Sequence, residues 1–145
     1  MSAAEAVARQ FFLDMARVLR GESVDPYAVM AEDVEFIVTG QTPLSGLWRG
    51  MKTVREDFLP QARPRMGRAP GHGVFPLEFI AEGNDVAVIA RGRGSSSTGM
   101  PYNNSYVFWF TVLDGKVVRY VEDFDSSLAW RVIFACHLEP DTPAG

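Results

Sequence analysis

The chain has 145 residues, with 14 basic against 18 acidic side chains for a formal charge of −4, and is 47% hydrophobic and 12% aromatic. That length suits one domain over residues 1–145 with a real core, and the composition excludes the disordered class. The negative balance argues against a general nucleic-acid binder, whose affinity comes mostly from neutralised phosphates, and no apolar run is long enough to span a bilayer.

The opening MSAAEAVARQ has no basic segment followed by an apolar one, so the expected location is the cytoplasm. From Ala4 to Arg20, Val7, Phe11, Met15 and Val18 recur at helical spacing, with Gly21 as a stop. Asp25-Pro26-Tyr27 reads as the cap and first turn of a short second helix ending near Ala31. Asp33 to Thr39 reads as a strand closed by Gly40 and the turn-rich QTPLSG, and a third helix runs from about Met51 to Gln61. The basic residues Arg63, Arg65 and Arg68, broken by proline and glycine, read as a solvated loop rather than a phosphate site.

Beyond the loop, Val74 to Ala81 and Val86 to about Ser97 flank the turn Glu82-Gly83-Asn84-Asp85 and suggest a hairpin. A second hairpin joins Asn104 to Leu113 with Lys116 to Phe124. Asp125 or Ser126 caps a last helix reaching about His137, and EPDTPAG reads as a loose tail. With Cys136 as the one cysteine and His72 and His137 the two histidines, neither an internal disulfide nor the usual Cys/His zinc site can be assembled, and no cofactor is implied. The order is three helices interleaved with one strand, then a four-strand meander, then a helix.

Alternation in the last hairpin puts Val118, Tyr120, Glu122 and Phe124 on one face, and Asn104, Tyr106, Phe108 and Phe110 on one face of the strand before. Mixed polar and aromatic faces suit a lined cavity better than a sealed core, where unpartnered polar groups are costly. The opposite face carries Val107, Trp109, Val117 and Val121, which in a monomer would be exposed; a second copy across a twofold axis covers it most simply, so a homodimer is expected.

The string TGMPYNNSYVFWFTVLDGKVVRYVEDFD closely resembles the last two strands of SnoaL-like and ketosteroid-isomerase-related proteins of the nuclear transport factor 2-like superfamily. AEDVEF at residues 31–36, PLSGLWRG before the third helix and EGNDVAVIARGRG at 82–94 support the resemblance in the same order. It implies an α+β, cone-shaped fold in which a curved antiparallel sheet packs against N-terminal helices and, with a C-terminal helix, encloses a pocket. The superfamily hosts enzymes, binders and assembly modules, so the fold alone does not settle function.

In the limonene-epoxide-hydrolase branch that the motifs resemble, the final-strand catalytic aspartate falls on Glu122. That branch's arginine and second aspartate fall on Ile89 and Arg91, and its water-positioning tyrosine and asparagine on Phe36 and Val38, so that hydrolysis is disfavoured. Ketosteroid isomerases place a catalytic aspartate where this chain has Val38 and a second acid near Val107, so an ordinary steroid isomerase is disfavoured too.

The expected site is a pocket with Glu122 as base, Arg91 or Arg93 as oxyanion partner, and Tyr106 and Asn104 positioning a substrate; Tyr120, Phe124, Phe36, Val38, Ile89 and Trp48 complete its wall. The register expected for the earlier strand turns Ile89, Arg91 and Arg93 inward, so an arginine paired with Glu122 would hold the carboxylate ionised, and the cation left over would favour an anionic ligand. The structural alternative is a buried Arg–Glu pair that only organises the core, with Tyr106 and Tyr120 as wall, Asp125 as cap, Trp48 as packing and His72 exposed or on a lid. Three readings remain open: a proton-transfer enzyme of isomerase, cyclase or dehydratase type, a binding protein without chemistry, and a dimeric assembly module.

Overall fold

The computed structural model describes residues 1–135. The expectations for Cys136, His137 and the tail lie outside those residues. Helix α1 (Ala3–Leu19) starts at Ser2, whose hydroxyl accepts from the Glu5 N–H at 3.1 Å, and buries Ala4, Ala8, Phe11 and Phe12. Phe11 and Phe12 meet Phe110 and Phe108 of the sheet edge-on at 5.6 and 5.1 Å, which fixes the helix across the sheet's inner face. A single turn, Pro26–Val29, follows; Asp25 caps it by accepting from the Tyr27 N–H.

Six strands form one sheet: β1 (Met30–Val38), β2 (Gly46–Arg49), β3 (Gly73–Glu82), β4 (Asp85–Arg93), β5 (Ser105–Leu113) and β6 (Lys116–Phe124). Their order is β2-β1-β6-β5-β4-β3, antiparallel throughout except that β1 runs parallel to β6. β2 was not expected, because a four-residue strand opening on glycine is too short to show alternation. Helix α2 (residues 51–62) includes a widened π turn, Val54–Phe58, just ahead of Pro60, whose ring and missing N–H spoil regular α hydrogen bonding. Helix α3 (residues 126–134) begins at Asp125, whose carboxylate accepts from the Leu128 N–H at 3.1 Å.

Two sequence expectations about faces are corrected by pairing. β4 lies against β5 with Val88 opposite Phe108 and Ala90 opposite Tyr106, so Val86, Val88 and Ala90 point inward and Ile89 and Arg91 outward. A strand's faces swap with a one-residue shift, and the expected register was off by that one residue. β4 also ends at Arg93, short of Ser97, where the chain leaves the sheet and Gly94 N–H bonds to the Asn103 side chain. In β6 a bulge at Val118 sets two residues against one, pairing Thr111 with Arg119 but Val112 with Val117. Val117 therefore turns into the core at 0% exposure and is no part of the outer face.

Where β1 ends, Gly40 takes φ +83° and passes so close to α3 that an added Cβ would stand 2.5 Å from the Ser126 Cβ. Gly40→Ala combines a strained backbone with a clash and should cost roughly 2 kcal/mol in urea unfolding. Gly115→Ala, at φ +75° with nothing nearby, carries the strain alone and should cost less. Equal losses would mean that α3 gives way without penalty.

Candidate functional site

Side chains on the sheet's inner face stand in rows across the strands. One row runs Val38, Glu122, Phe108, Val88, Phe79, so a carboxyl sits where its neighbours on both sides are apolar. The next row, Phe36, Tyr120, Phe110, Val86, packs below it, with Phe36 stacked on Tyr120 at 4.4 Å. Phe124 and Tyr106 are paired in the row above. Helices α1, α2 and α3 stand off this face and leave a cavity of about 510 Å³, within the usual range for small-molecule sites.

Glu122 keeps part of its surface open, and that surface lines the cavity. The one hydrogen-bond partner of its carboxyl among the described residues is Tyr120, whose hydroxyl donates to Oε1 at 3.2 Å. Burial pushes the Glu122 carboxyl up to about 7 and the Tyr120 hydrogen bond draws it partly back; no cation contributes. The Tyr120 hydroxyl is in turn pushed well above the usual range, by burial first and by the Glu122 charge second.

All four tyrosines of the chain, Tyr27, Tyr102, Tyr106 and Tyr120, line this cavity, and burial raises each of them. Burial raises the Tyr106 hydroxyl most, and the charge of the neighbouring Tyr102 raises it further. Tyr102 accepts from Asn104 Nδ2 at 2.9 Å. With the Asn104 donor at its oxygen, Tyr102 retains its own O–H for a further acceptor.

Of the expected site residues, Glu122, Tyr106, Tyr120, Phe124, Phe36 and Val38 are brought together on the cavity wall, and Arg93 reaches its rim. Arg91 is exposed on the outer face and donates to the Ser105 hydroxyl, and Ile89 lies on that face at 38% exposure. The expected arginine–Glu122 ion pair is therefore absent, and with it the reason for an ionised carboxylate: the shift runs upward. The inward positions of β4 nearest Glu122 are the apolar Val88 and Ala90.

Asn104 is fully buried, and its amide is committed to structure: Nδ2 also donates to the Asp125 carbonyl at 3.0 Å, while Oδ1 accepts from the N–H groups of Ser105 and Asp125. It clamps β5 to the start of α3 and does not line the cavity. Trp48 donates Nε1–H to the Leu44 carbonyl at 2.9 Å and packs on Phe58, one layer back from the wall. His72 is half-buried on the wall rather than exposed. Sequence reasoning missed Tyr102 and Tyr27, as well as the placement of Arg63, Arg65 and Arg68 at the rim. Alternation through Tyr102, Asn104 and Tyr106 carried a signal for the first; nothing local pointed to the others. Among the described residues no three His, Cys, Asp or Glu side chains gather to hold a metal.

The sequence model of the SnoaL-like domain matches residues 8–120. The chain belongs to the SnoaL-like family. An NTF2-like protein from Burkholderia xenovorans is 31% identical, with a TM-score of 0.65, over 90% of this chain and 95% of that one. TerC, solved with polyporic acid, is 25% identical, with a TM-score of 0.75, over 91% and 98%. An NTF2-like protein of unknown function from Burkholderia pseudomallei superposes with a TM-score of 0.77 at 22% identity over 92% and 99%, a likeness of fold. No curated protein matches this SnoaL-like chain. No helix among its described residues is long and apolar enough to cross a membrane.

The sign of the Glu122 shift gives a stability test. A carboxyl whose folded pKa is raised from 4.5 to about 7 contributes stability that is fully present below the unfolded value and lost as pH rises through about 7. Glu122→Gln keeps the Tyr120 hydrogen bond and does not titrate. The variant should gain on the wild type between about pH 4.5 and pH 8, by roughly 3 kcal/mol at most, in paired denaturation curves. A difference that stays flat with pH would mean the carboxyl is compensated in solution.

Proposed function

We propose that this SnoaL-like domain is a small-molecule enzyme whose reaction moves a proton at a carbon beside a carbonyl group, as in isomerase, cyclase or dehydratase chemistry. The observation that supports it best is the single carboxyl of the inner sheet face, set among aromatic side chains with no cation paired to it. A group poised near neutrality serves well as a base, because a useful fraction is ionised and its conjugate acid readily returns the proton. Glu122 takes the proton from carbon. The negative charge that appears on the carbonyl oxygen is met by the O–H of Tyr102, which Asn104 polarises as a donor to the same oxygen. Tyr120 holds Glu122 in place and favours its ionised form. TerC was crystallised with polyporic acid, which makes that compound the first ligand to try here.

Solvent deuterium exchange into 2-tetralone, followed by proton NMR, tests the base directly. The wild type should accelerate exchange, with a rate that climbs as pH rises through about 7. Glu122→Gln should lose on the order of a hundredfold and Tyr102→Phe about tenfold. Exchange unaffected by Glu122→Gln would remove the proposed base; a wild type that binds polyporic acid but exchanges no ketone would instead be the binding protein without chemistry.

A second observation favours a homodimer through the outer face. There Leu47, Ile37, Val121, Trp109, Ala87 and Ile80 stand in register across all six strands, with Leu47, Trp109 and Ile80 exposed at 49, 42 and 57%. A polar row, Arg49, Glu35, Arg119, Thr111, Asp85 and Glu82, borders this band. A self-complementary strip of this kind suits a twofold contact. Sedimentation at low micromolar concentration should give a dimer that Trp109→Glu splits; a soluble wild-type monomer would remove the argument.

A further inference from the structure

Four arginines line the cavity toward its rim, reaching it from two directions. Arg63, Arg65 and Arg68 come from the segment after α2, and Arg93 from the end of β4. The segment is fastened to the β4–β5 loop. The Gly67 N–H donates to the Ser95 carbonyl at 2.8 Å and the Ser97 N–H to the Arg65 carbonyl at 2.9 Å, around a bridge between Met66 and Ser96. Gly67 is wedged so closely there that a Cβ would lie 2.2 Å from the Ser95 hydroxyl and 2.7 Å from the Ser96 carbonyl oxygen. Arg65 is held further, by donating Nε–H to the Gln61 carbonyl at 3.1 Å and by lying over the Phe134 ring at 5.2 Å.

Charges of one sign lining one cavity make it a favourable place for a counter-charge. The ion pairs among the described residues engage Arg9, Arg17, Arg20, Arg49 and Arg55, and none of the four rim arginines. Asp25, the carboxylate on the cavity wall besides Glu122, is taken by Arg55 at 2.8 Å. From the rim, the Arg63 charge is felt at Tyr27 on the cavity wall, where it opposes the upward shift of that hydroxyl. A cationic rim on a chain with a formal charge of −4 is a local arrangement and not a reflection of composition. Behind the rim the wall is flat and apolar, built from the Phe36–Tyr120 stack and Phe124.

We infer that the rim is an anion-recognition site and that the ligand is an aromatic carboxylate, its head held by Arg63, Arg65, Arg68 and Arg93 and its flat body lying inside against Phe36 and Tyr120. Guanidinium groups suit a carboxylate head because they present paired N–H donors in its plane. The assignment of a substrate class rests on the proposed enzyme reading, since it presents the body of the anion to Glu122. Recognition of the head does not depend on Glu122 acting as a base.

Calorimetric titration of the full chain with biphenyl-4-carboxylate and with the neutral biphenyl-4-carboxamide tests the inference. The carboxylate should bind at least about tenfold more tightly, with a preference that shrinks as salt is raised. The exposed Arg63 and Arg68 can be changed with little risk to folding. The double variant Arg63→Gln, Arg68→Gln should bring the two ligands to within about threefold of each other. Equal binding of the two probes, no binding of the carboxylate, or a preference untouched by the double variant each overturns the inference. The two readings fail separately. Glu122→Gln that leaves ketone exchange intact removes the base while the carboxylate preference stands. A missing preference removes the anion site while exchange still depends on Glu122.

Discussion

A carboxyl group in an apolar row of a β-sheet is stable only in company that either neutralises it or lets it hold its proton, and the inner face of this protein does the second. Phe108 and Val38 flank Glu122 across the strands, Tyr120 and Phe124 along its own, and among the described residues the carboxyl's one hydrogen bond comes from a tyrosine hydroxyl. The parallel pairing of β1 with β6 is what closes that environment, since it sets Val38 beside Glu122 and Phe36 under the Tyr120 ring. Without β1 the carboxyl would stand at a sheet edge, open to water, and would titrate as an ordinary glutamate.

The tyrosines complete the arrangement. Each is buried enough to stay protonated, so the cavity is rich in neutral donors and poor in fixed charge until its rim is reached. Charge thus increases outward, from one titrating acid within to four guanidinium groups outside. A low-polarity interior strengthens each hydrogen bond made there.

Local patterns told much of the fold in advance. The helical spacing of Phe11 and Met15, the Pro26 turn and both hairpins of the meander were legible because short-range chemistry sets them: a cap, a proline, a glycine turn with flanking alternation. The cavity wall was legible on β6, where Tyr120, Glu122 and Phe124 alternate up to the end of the strand. It failed on β4, because which face Arg91 occupies depends on pairing with β5 and a one-residue shift inverts it. Val117 went wrong for the same kind of reason, the bulge at Val118. Asn104 looked like a ligand contact, since a polar residue among aromatics has no local sign that its amide is spent on Tyr102, Ser105 and Asp125. The rim arginines were hidden deepest: their place is set by hydrogen bonds to residues 95–97, some thirty positions along the chain.

Asn104 carries one more implication. The same side chain fixes the start of the roof helix through Asp125 and supplies a donor to Tyr102 on the wall. Roof and wall are therefore not separable modules. A lineage that redesigned α3 would disturb Tyr102 in the same step, and one that replaced Tyr102 would loosen the roof. Variation that leaves both intact is channelled elsewhere, to the segment carrying the rim arginines and to residues 95–97 that hold it, whose hydrogen bonds to one another do not involve the Asn104 side chain.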